Sequence, residues 1–174
     1  MSNDNIAKND IKSKVVISPI DVDEYQDFLS AAHHETFRIT FGREIPDEFL
    51  KKEFLRTKAD AATDRSSVVG AFLDKNIVGH AVLEIRTHAD NLRYGWIHFY
   101  YVSPECRKEG VGSELVRYSK EYFSALGLKE FTLRTGEQNK GAQEFYLKVG
   151  FVQIPKEDII SLYGVKELHM LYTI

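Results

Sequence analysis

The sequence predicts an α+β fold, in which helices flank a mixed and largely antiparallel central sheet. The first observation is the order of elements that hydrophobic periodicity indicates, β α α β β β α β α β β. The second is a tight turn, Asp74-Lys75-Asn76, between two runs typical of strands, which predicts an antiparallel hairpin. The third is size, because 174 residues, 43% of them hydrophobic, suit one compact domain.

The predicted elements follow one another along the chain. Residues 1–13 are polar and are expected to form a disordered tail, which leaves a single domain over 14–174. The first half contains a strand at 15–17, a helix at 21–40, a second helix after Pro46, and hairpin strands at 67–73 and 77–87. After a polar loop at 88–95, the second half contains a strand at 96–102, a helix at 112–126, a strand at 131–134, a helix at 141–149, and closing strands at 151–154 and 166–174.

Charge and composition disfavour several classes of protein. The net charge is −3, which offers no electrostatic reason to bind nucleic acid. No apolar run approaches the ~20 residues that span a bilayer, and the N-terminus lacks the apolar stretch of a signal peptide, so no membrane partner is expected. The single cysteine, Cys106, fits a cytoplasmic location. No metal is expected, since His33-His34-Glu35 lacks a metal-binding spacing.

A glycine-rich segment, Arg107 to Ser113, follows the predicted strand at 96–102 and opens a helix. The start of a helix offers free backbone N–H groups and the positive end of the helix dipole, and glycine lets an anion approach closely. The segment therefore predicts an anion site, although a glycine-rich helix start without a ligand has the same pattern. Neither a Walker A sequence nor a complete dinucleotide fingerprint is present, which disfavours ATP and NAD.

This segment resembles a motif of the GNAT superfamily of acyl-CoA N-acyltransferases, Arg/Gln-x-x-Gly-x-Gly/Ala, which Arg107, Gly110 and Gly112 match. A second motif of that family, Asn-x-x-Ala-x-x-x-Tyr-x-Lys-x-Gly-Phe, is matched by Asn139, Ala142, Tyr146, Lys148, Gly150 and Phe151. The resemblance covers residues 15–174 and implies an acetyl-CoA-dependent N-acetyltransferase without a metal. It also implies the GNAT fold, in which the strands at 96–102 and 131–134 splay apart to admit the cofactor.

The resemblance further implies which residues hold acetyl-CoA. Its pyrophosphate would bind backbone N–H groups of Lys108, Glu109, Gly110, Val111, Gly112 and Ser113, with added charge from Arg107. The pantetheine arm would pair with the backbone of Tyr101 and Val102, one of which would also donate to the oxyanion. Asn139 would hydrogen-bond the arm, and Phe145 and Lys148 would lie near the adenine and the 3′-phosphate.

The implied reaction is direct attack of an amine on the acetyl thioester. Tyr146 occupies the family's general-acid position for the departing thiolate, and a phenol keeps its proton at neutral pH. The general base stays open between His98 on the strand at 96–102, Glu84 on the preceding strand, and a chain of water molecules. Trp96 stands where some relatives carry a glutamate base, which disfavours a glutamate base on that strand.

No motif identifies the acceptor. The resemblance implies a primary amine of a small molecule or a peptide, and homodimers are common in the family. Two alternatives stay open: a non-catalytic acyl-CoA-binding or regulatory module on the same fold, and a structural domain whose glycine-rich loop binds nothing.

Overall fold

The computed structural model describes residues 15–161 and 163–174, apart from the side chains of residues 156–159. Its strands and helices are β1 (Val16–Pro19), α1 (Gln26–Phe41), α2 (Asp47–Thr63), β2 (Val68–Leu73), β3 (Asn76–Thr87), β4 (Arg93–Val102), α3 (Val111–Ala125), β5 (Glu130–Gly136), α4 (Lys140–Lys148), β6 (Val152–Ile160) and β7 (Lys166–Thr173). The tail predicted at 1–13 lies outside the described residues. Within the described part of the chain, none of the helices combines the length and apolar character needed to cross a membrane.

The strands form one mixed sheet in the order β1-β2-β3-β4-β5-β7-β6. Neighbouring strands are antiparallel, except that β4 and β5 are parallel. Asp74 and Lys75 have φ of 47° and 70°, which is the left-handed backbone of a tight turn between β2 and β3. The predicted α+β class, the order of elements and the hairpin are confirmed.

Several predicted strand boundaries are wrong, because pairing with a neighbour extends strands into polar sequence. β4 begins at Arg93, inside the predicted loop at 88–95, since Arg93 pairs with Thr87 of β3. β5 and β6 likewise extend beyond the predicted 131–134 and 151–154, since both pair with β7. Local composition predicts such strands too short, because their ends are stabilised by pairing with the neighbouring strand.

β4 and β5 separate soon after they meet. Their parallel ladder contains two Cα pairs, of which the second joins Trp96 to Thr132. Beyond that pair, β4 continues over 97–102 and β5 over 133–136 without pairing to each other. We call this gap between the two strands the splay. The splayed strands predicted at this position are confirmed.

Helices cover the two faces of the sheet with separate cores. α3 and α4 pack on one face, where Leu115, Phe123, Phe131 and Phe151 are fully buried. α1 and α2 cover the other face, where Leu29, Val68 and Val82 are fully buried. The splay therefore lies between the sheet face that α3 and α4 cover, the α3/α4 face, and the face that α1 and α2 cover, the α1/α2 face.

A β-bulge in β4 turns two consecutive side chains toward the α1/α2 face. The register between β3 and β4 shifts there and leaves His98 without a direct partner on β3. Phe99 stacks on His33 of α1, with ring centroids 4.1 Å apart, and His98 contacts Glu53 of α2. Because a bulge re-aims the extra residue, His98 shares the face that Phe99 occupies.

Gly150 follows α4 in the left-handed backbone region, with φ of 107°. An added Cβ would be strained there and would lie 3.3 Å from Cε2 of Tyr172. We expect Gly150→Ala to lower the free energy of unfolding by about 1–2 kcal/mol, measured by urea denaturation. The matched control is Gly141→Ala inside α4, where nothing lies within 4 Å of the added Cβ, and which should stabilise by about 0.5–1 kcal/mol. Equal stability of the two variants would contradict this explanation.

Candidate active site

The edge of β4 that borders the splay carries free backbone groups. Ser103, directly after β4, donates its N–H to a carbonyl of β3 at 2.8 Å, and the hydrogen bonds of an antiparallel pair alternate along the strand. The amides of Tyr100 and Val102 therefore point into the splay, whereas the amide of Tyr101 points to β3. The Val102 carbonyl also points away from β3, since it accepts a hydrogen bond from Arg107 Nε at 2.9 Å. Sequence analysis missed Tyr100, since only the pairing register shows where its amide points.

The loop between β4 and α3 contains the predicted pyrophosphate segment. Lys108 and Gly110 have φ of 66° and 93°, which bends the backbone at the start of α3. The Glu114 N–H donates to the Gly110 carbonyl at 3.1 Å and makes the first bond of the helix. The preceding N–H groups, those of 111–113, have no partner within the helix by their position, so they are oriented for an anion.

Phe145 of α4 lies over the start of α3. A Cβ added at Gly112 would lie 2.9 Å from Cζ of Phe145, so helix packing favours a glycine at this position. Asn139 caps α4, because its Oδ1 accepts the N–H of Ala142 at 3.2 Å. Lys148 is exposed at the end of α4. Phe145 and Asn139 thus have structural roles, and the predicted contacts of Phe145, Asn139 and Lys148 with the cofactor stay predictions.

Tyr146 is buried on the α3/α4 face, where 8% of it is exposed. The rings of Phe145 and Phe151 contact it, and no hydrogen bond from a described residue influences its hydroxyl. Burial raises the pKa of this phenol well above its usual range. The hydroxyl therefore keeps its proton at neutral pH and can act as a donor.

His98 connects β4 to α2 and β3 through two carboxylates. Its Nε2 lies 2.6 Å from Oε2 of Glu53, and its Nδ1 lies 3.5 Å from Oε1 of Glu84. An ionised carboxylate only accepts hydrogen bonds, so Glu53 places the proton of a neutral imidazole on Nε2 and leaves the lone pair on Nδ1. Burial raises the pKa of Glu53, but the hydrogen bond and charge of His98 outweigh burial and hold that pKa below its ordinary value.

Glu84, the second predicted base, is held by two arginines. Arg56 Nη2 donates to its Oε1 at 2.6 Å, and Arg86 Nη2 donates to its Oε2 at 3.0 Å. Charge-assisted hydrogen bonds from two guanidinium groups thus occupy both carboxylate oxygens of Glu84. The geometry therefore favours His98 over Glu84 as the group that takes a proton.

Two carboxylates that were not among the predicted catalytic or cofactor-binding residues lie near the predicted site. Glu53 lies 45 residues from His98 along the chain. Glu35 of α1 accepts a hydrogen bond from the Tyr101 hydroxyl at 2.6 Å and another from Arg107 Nη2 at 2.5 Å, across 72 residues of sequence. Glu35 thereby links α1 to β4 and to the start of the loop between β4 and α3. Neither carboxylate has a local sequence signal, apart from the position of Glu35 beside two histidines.

His33 lies against a cleft of about 410 Å³ between α1 and α2. Its Nδ1 donates to the Leu29 carbonyl at 2.8 Å, and burial lowers its pKa. It is therefore a neutral, structurally held histidine. In the described part of the chain, no group of three or more His, Cys, Asp or Glu side chains is arranged to hold a metal ion.

Comparisons with known proteins relate the chain to acetyltransferases. The model of the Acetyltransferase (GNAT) family matches residues 26–151. Among curated proteins, aminoglycoside N(6′)-acetyltransferase type 1 of Klebsiella aerogenes is 30% identical over 105 residues, which cover 59% of this chain and 68% of that protein. Among solved structures, ribosomal-protein-alanine N-acetyltransferase from Brucella melitensis has a TM-score of 0.71 at 15% identity, covering 91% and 99% of the two chains. Arabidopsis thaliana Naa50, in complex with a bisubstrate analogue, has a TM-score of 0.68 at 18% identity, covering 92% and 99%.

Proposed function

The chain belongs to the GNAT family of acetyltransferases and is an acetyl-CoA-dependent N-acetyltransferase, and we propose that it acetylates a primary amine by direct attack in a ternary complex. The observation that supports this most is that two proton-carrying groups lie on opposite faces of the sheet. His98 lies on the α1/α2 face, and the buried Tyr146 lies on the α3/α4 face. Attack and departure of the thiolate can then occur on opposite sides of one acetyl group.

His98 is the proposed general base. An alkylammonium cannot attack until it loses a proton, and the lone pair on Nδ1 is free to accept one. The imidazolium that forms lies between Glu53 and Glu84, at 2.6 Å and 3.5 Å, so its charge is compensated. Glu53 is the proposed positioning residue, since it sets which ring nitrogen carries the proton.

The acetyl thioester is proposed to lie along the free edge of β4. With the pyrophosphate at the loop after β4, the cofactor arm runs back along the strand and passes Val102 before Tyr100. Val102 would pair with the pantetheine, and the Tyr100 amide would donate to the thioester oxygen and stabilise the oxyanion. The amine nitrogen bonds to the carbonyl carbon, the C–S bond breaks, and the thiolate takes the proton of the Tyr146 hydroxyl.

The acceptor is proposed to be a primary amine of a small molecule or of a peptide. The name of the relative from Klebsiella aerogenes indicates a small-molecule amine, and the Brucella melitensis structure is of an enzyme named for a protein alanine. A screen of acetyl transfer over amino acids, peptides, polyamines and aminoglycosides separates these classes. Acetyl-CoA should bind with a Kd in the range of about 1 μM to 1 mM, and failure to bind would contradict the proposal.

Gly112→Leu is expected to weaken acetyl-CoA binding at least about tenfold, a loss of about 1.4 kcal/mol. The new side chain would block the approach of the pyrophosphate to the backbone and would press on Phe145, which a Cβ alone would approach to 2.9 Å. Isothermal titration with acetyl-CoA measures the change. Ser113→Ala is the control, because it keeps the backbone N–H and should bind normally.

The contact with Phe145 needs a control of its own. The double change Gly112→Ala with Phe145→Leu relieves that contact while keeping a small residue in the loop. It should bind acetyl-CoA more tightly than Gly112→Leu. Normal binding by a folded Gly112→Leu variant would exclude the loop as the pyrophosphate site.

The cellular location and the oligomeric state of the enzyme are part of the same proposal. A cytoplasmic location fits the single cysteine. A homodimer is proposed because homodimers are common in the family. Light scattering on the purified protein measures the oligomeric state. A monomer would contradict the proposed homodimer but not the proposed location.

A further inference from the structure

Trp96 lies where the splay begins. It is the last residue of β4 to pair with β5, opposite Thr132, and 6% of it is exposed. Two guanidinium groups lie over its indole, with Arg86 Cζ 3.9 Å and Arg134 Cζ 5.5 Å from the ring centroid. Two cations thus converge on one aromatic ring at the point where the splay begins.

The two arginines differ in what they already bind. Arg86 donates to Glu84 through Nη2 and Nε, at 3.0 Å and 3.1 Å. Arg134 has an ion pair with Glu167 at 3.8 Å, which is longer than a hydrogen bond. Burial raises the pKa of Glu167 despite the opposing effect of Arg134.

Arg134 retains free hydrogen-bonding capacity. Its side chain is 40% exposed, and no short hydrogen bond to it is present among the described residues. A guanidinium has five N–H donors in a planar fork that matches a carboxylate. Arg134 is therefore available to a ligand, whereas Arg86 is engaged.

The position of Arg134 relates it to the reaction. Alternation along β5 places Thr132, Arg134 and Gly136 on one face, and Gly136 lies against Thr40 of α1, so this is the α1/α2 face. Arg134 follows the last paired residue of β5 and borders the splay on the side where His98 lies. An amine presented to His98 would therefore have its substituents close to Arg134.

We propose that Arg134 binds an anionic group of the acceptor, so that the enzyme prefers amines with a carboxylate near the reacting nitrogen, such as amino acids. This inference rests on the proposed function. A fork of N–H donors gives bidentate recognition of the carboxylate, and Trp96 holds the guanidinium in place by cation–π contact. A polycationic amine would be disfavoured, because Arg86 and Arg134 would repel it.

Trp96 also supplies the measurement, because it is the single tryptophan of the chain. Protein saturated with CoA is titrated with N-acetylated amino acids and with their carboxamides, which replace only the carboxylate. We expect a saturable change in fluorescence with the carboxylates and at least tenfold weaker binding of the amides. Arg134→Gln should remove this preference, and Arg134→Lys should keep part of it. Arg117→Gln on α3, on the opposite face, is the control for loss of one positive charge.

A kinetic test uses the free amines. Each amino acid is compared with its amide as acceptor, and kcat/KM should favour the amino acid at least tenfold in the wild type but not in Arg134→Gln. Equal use of acids and amides, preference for a polycationic amine, or an equal loss for both in Arg134→Gln would overturn the inference while leaving acetyl transfer intact. Absence of acetyl-CoA binding and of transfer to every amine would instead overturn the proposed function.

Discussion

His98→Ala is expected to lower kcat/KM by about a thousandfold, within the range typical of a lost general base. The lone pair on Nδ1 is the proposed proton acceptor, and the hydrogen bond of 2.6 Å between Nε2 and Glu53 holds the ring in place. Steady-state kinetics with saturating acetyl-CoA measures the loss. His88→Ala, at the turn between β3 and β4, is the matched control and should keep full activity.

The pH dependence makes this prediction specific. A general base acts only when it is unprotonated, so the wild-type kcat/KM should fall as the pH falls. That acid limb should disappear in His98→Ala. Glu53 does not produce the limb, because its pKa lies below the ordinary value and it stays ionised around neutral pH. An acid limb that persists unchanged in His98→Ala would assign the base elsewhere, to Glu84 or to water.

Glu53→Gln tests the positioning role separately. A glutamine can still hydrogen-bond the ring but no longer compensates the imidazolium charge, so a loss of about tenfold in kcat is expected. The loss should fall on kcat and leave the KM of the acceptor nearly unchanged. An unchanged kcat in a folded Glu53→Gln variant would contradict the positioning role.

Tyr146→Phe is expected to lower kcat by about a hundredfold, with little change in the Kd of acetyl-CoA. The departing thiolate would lose its proton donor, while the ring would keep its contacts with Phe145 and Phe151. Single-turnover measurements separate this step from cofactor binding. A variant with unchanged kcat would exclude the general-acid role.

The stability of Tyr146→Phe provides an internal control. No hydrogen bond from a described residue influences the Tyr146 hydroxyl, so removing it should leave the free energy of unfolding nearly unchanged. Tyr118→Phe is the matched variant, because the Tyr118 hydroxyl donates to the Ser66 carbonyl at 2.9 Å. It should lose about 1 kcal/mol of stability and keep its activity. The two variants thus distinguish a catalytic hydroxyl from a structural one.

The order of elements and the position of the glycine-rich loop were determined by the sequence alone, because both follow from local properties. Periodicity of apolar residues distinguishes helix from strand, and the left-handed backbone at Gly110 suits glycine. The two motifs between Arg107 and Phe151 indicated the cofactor correctly, since each motif lies within one continuous segment of the chain.

The tertiary structure alone decided which side chains meet. Glu53 reaches His98 only because a bulge in β4 turns the imidazole toward α2. The assignment of Tyr100 to the splay depends on the pairing register, and the place of Arg134 beside Trp96 depends on the short parallel ladder of β4 and β5. A shift of one residue in either register would exchange the faces. Contacts of this kind join residues that are distant in sequence, so no local pattern encodes them.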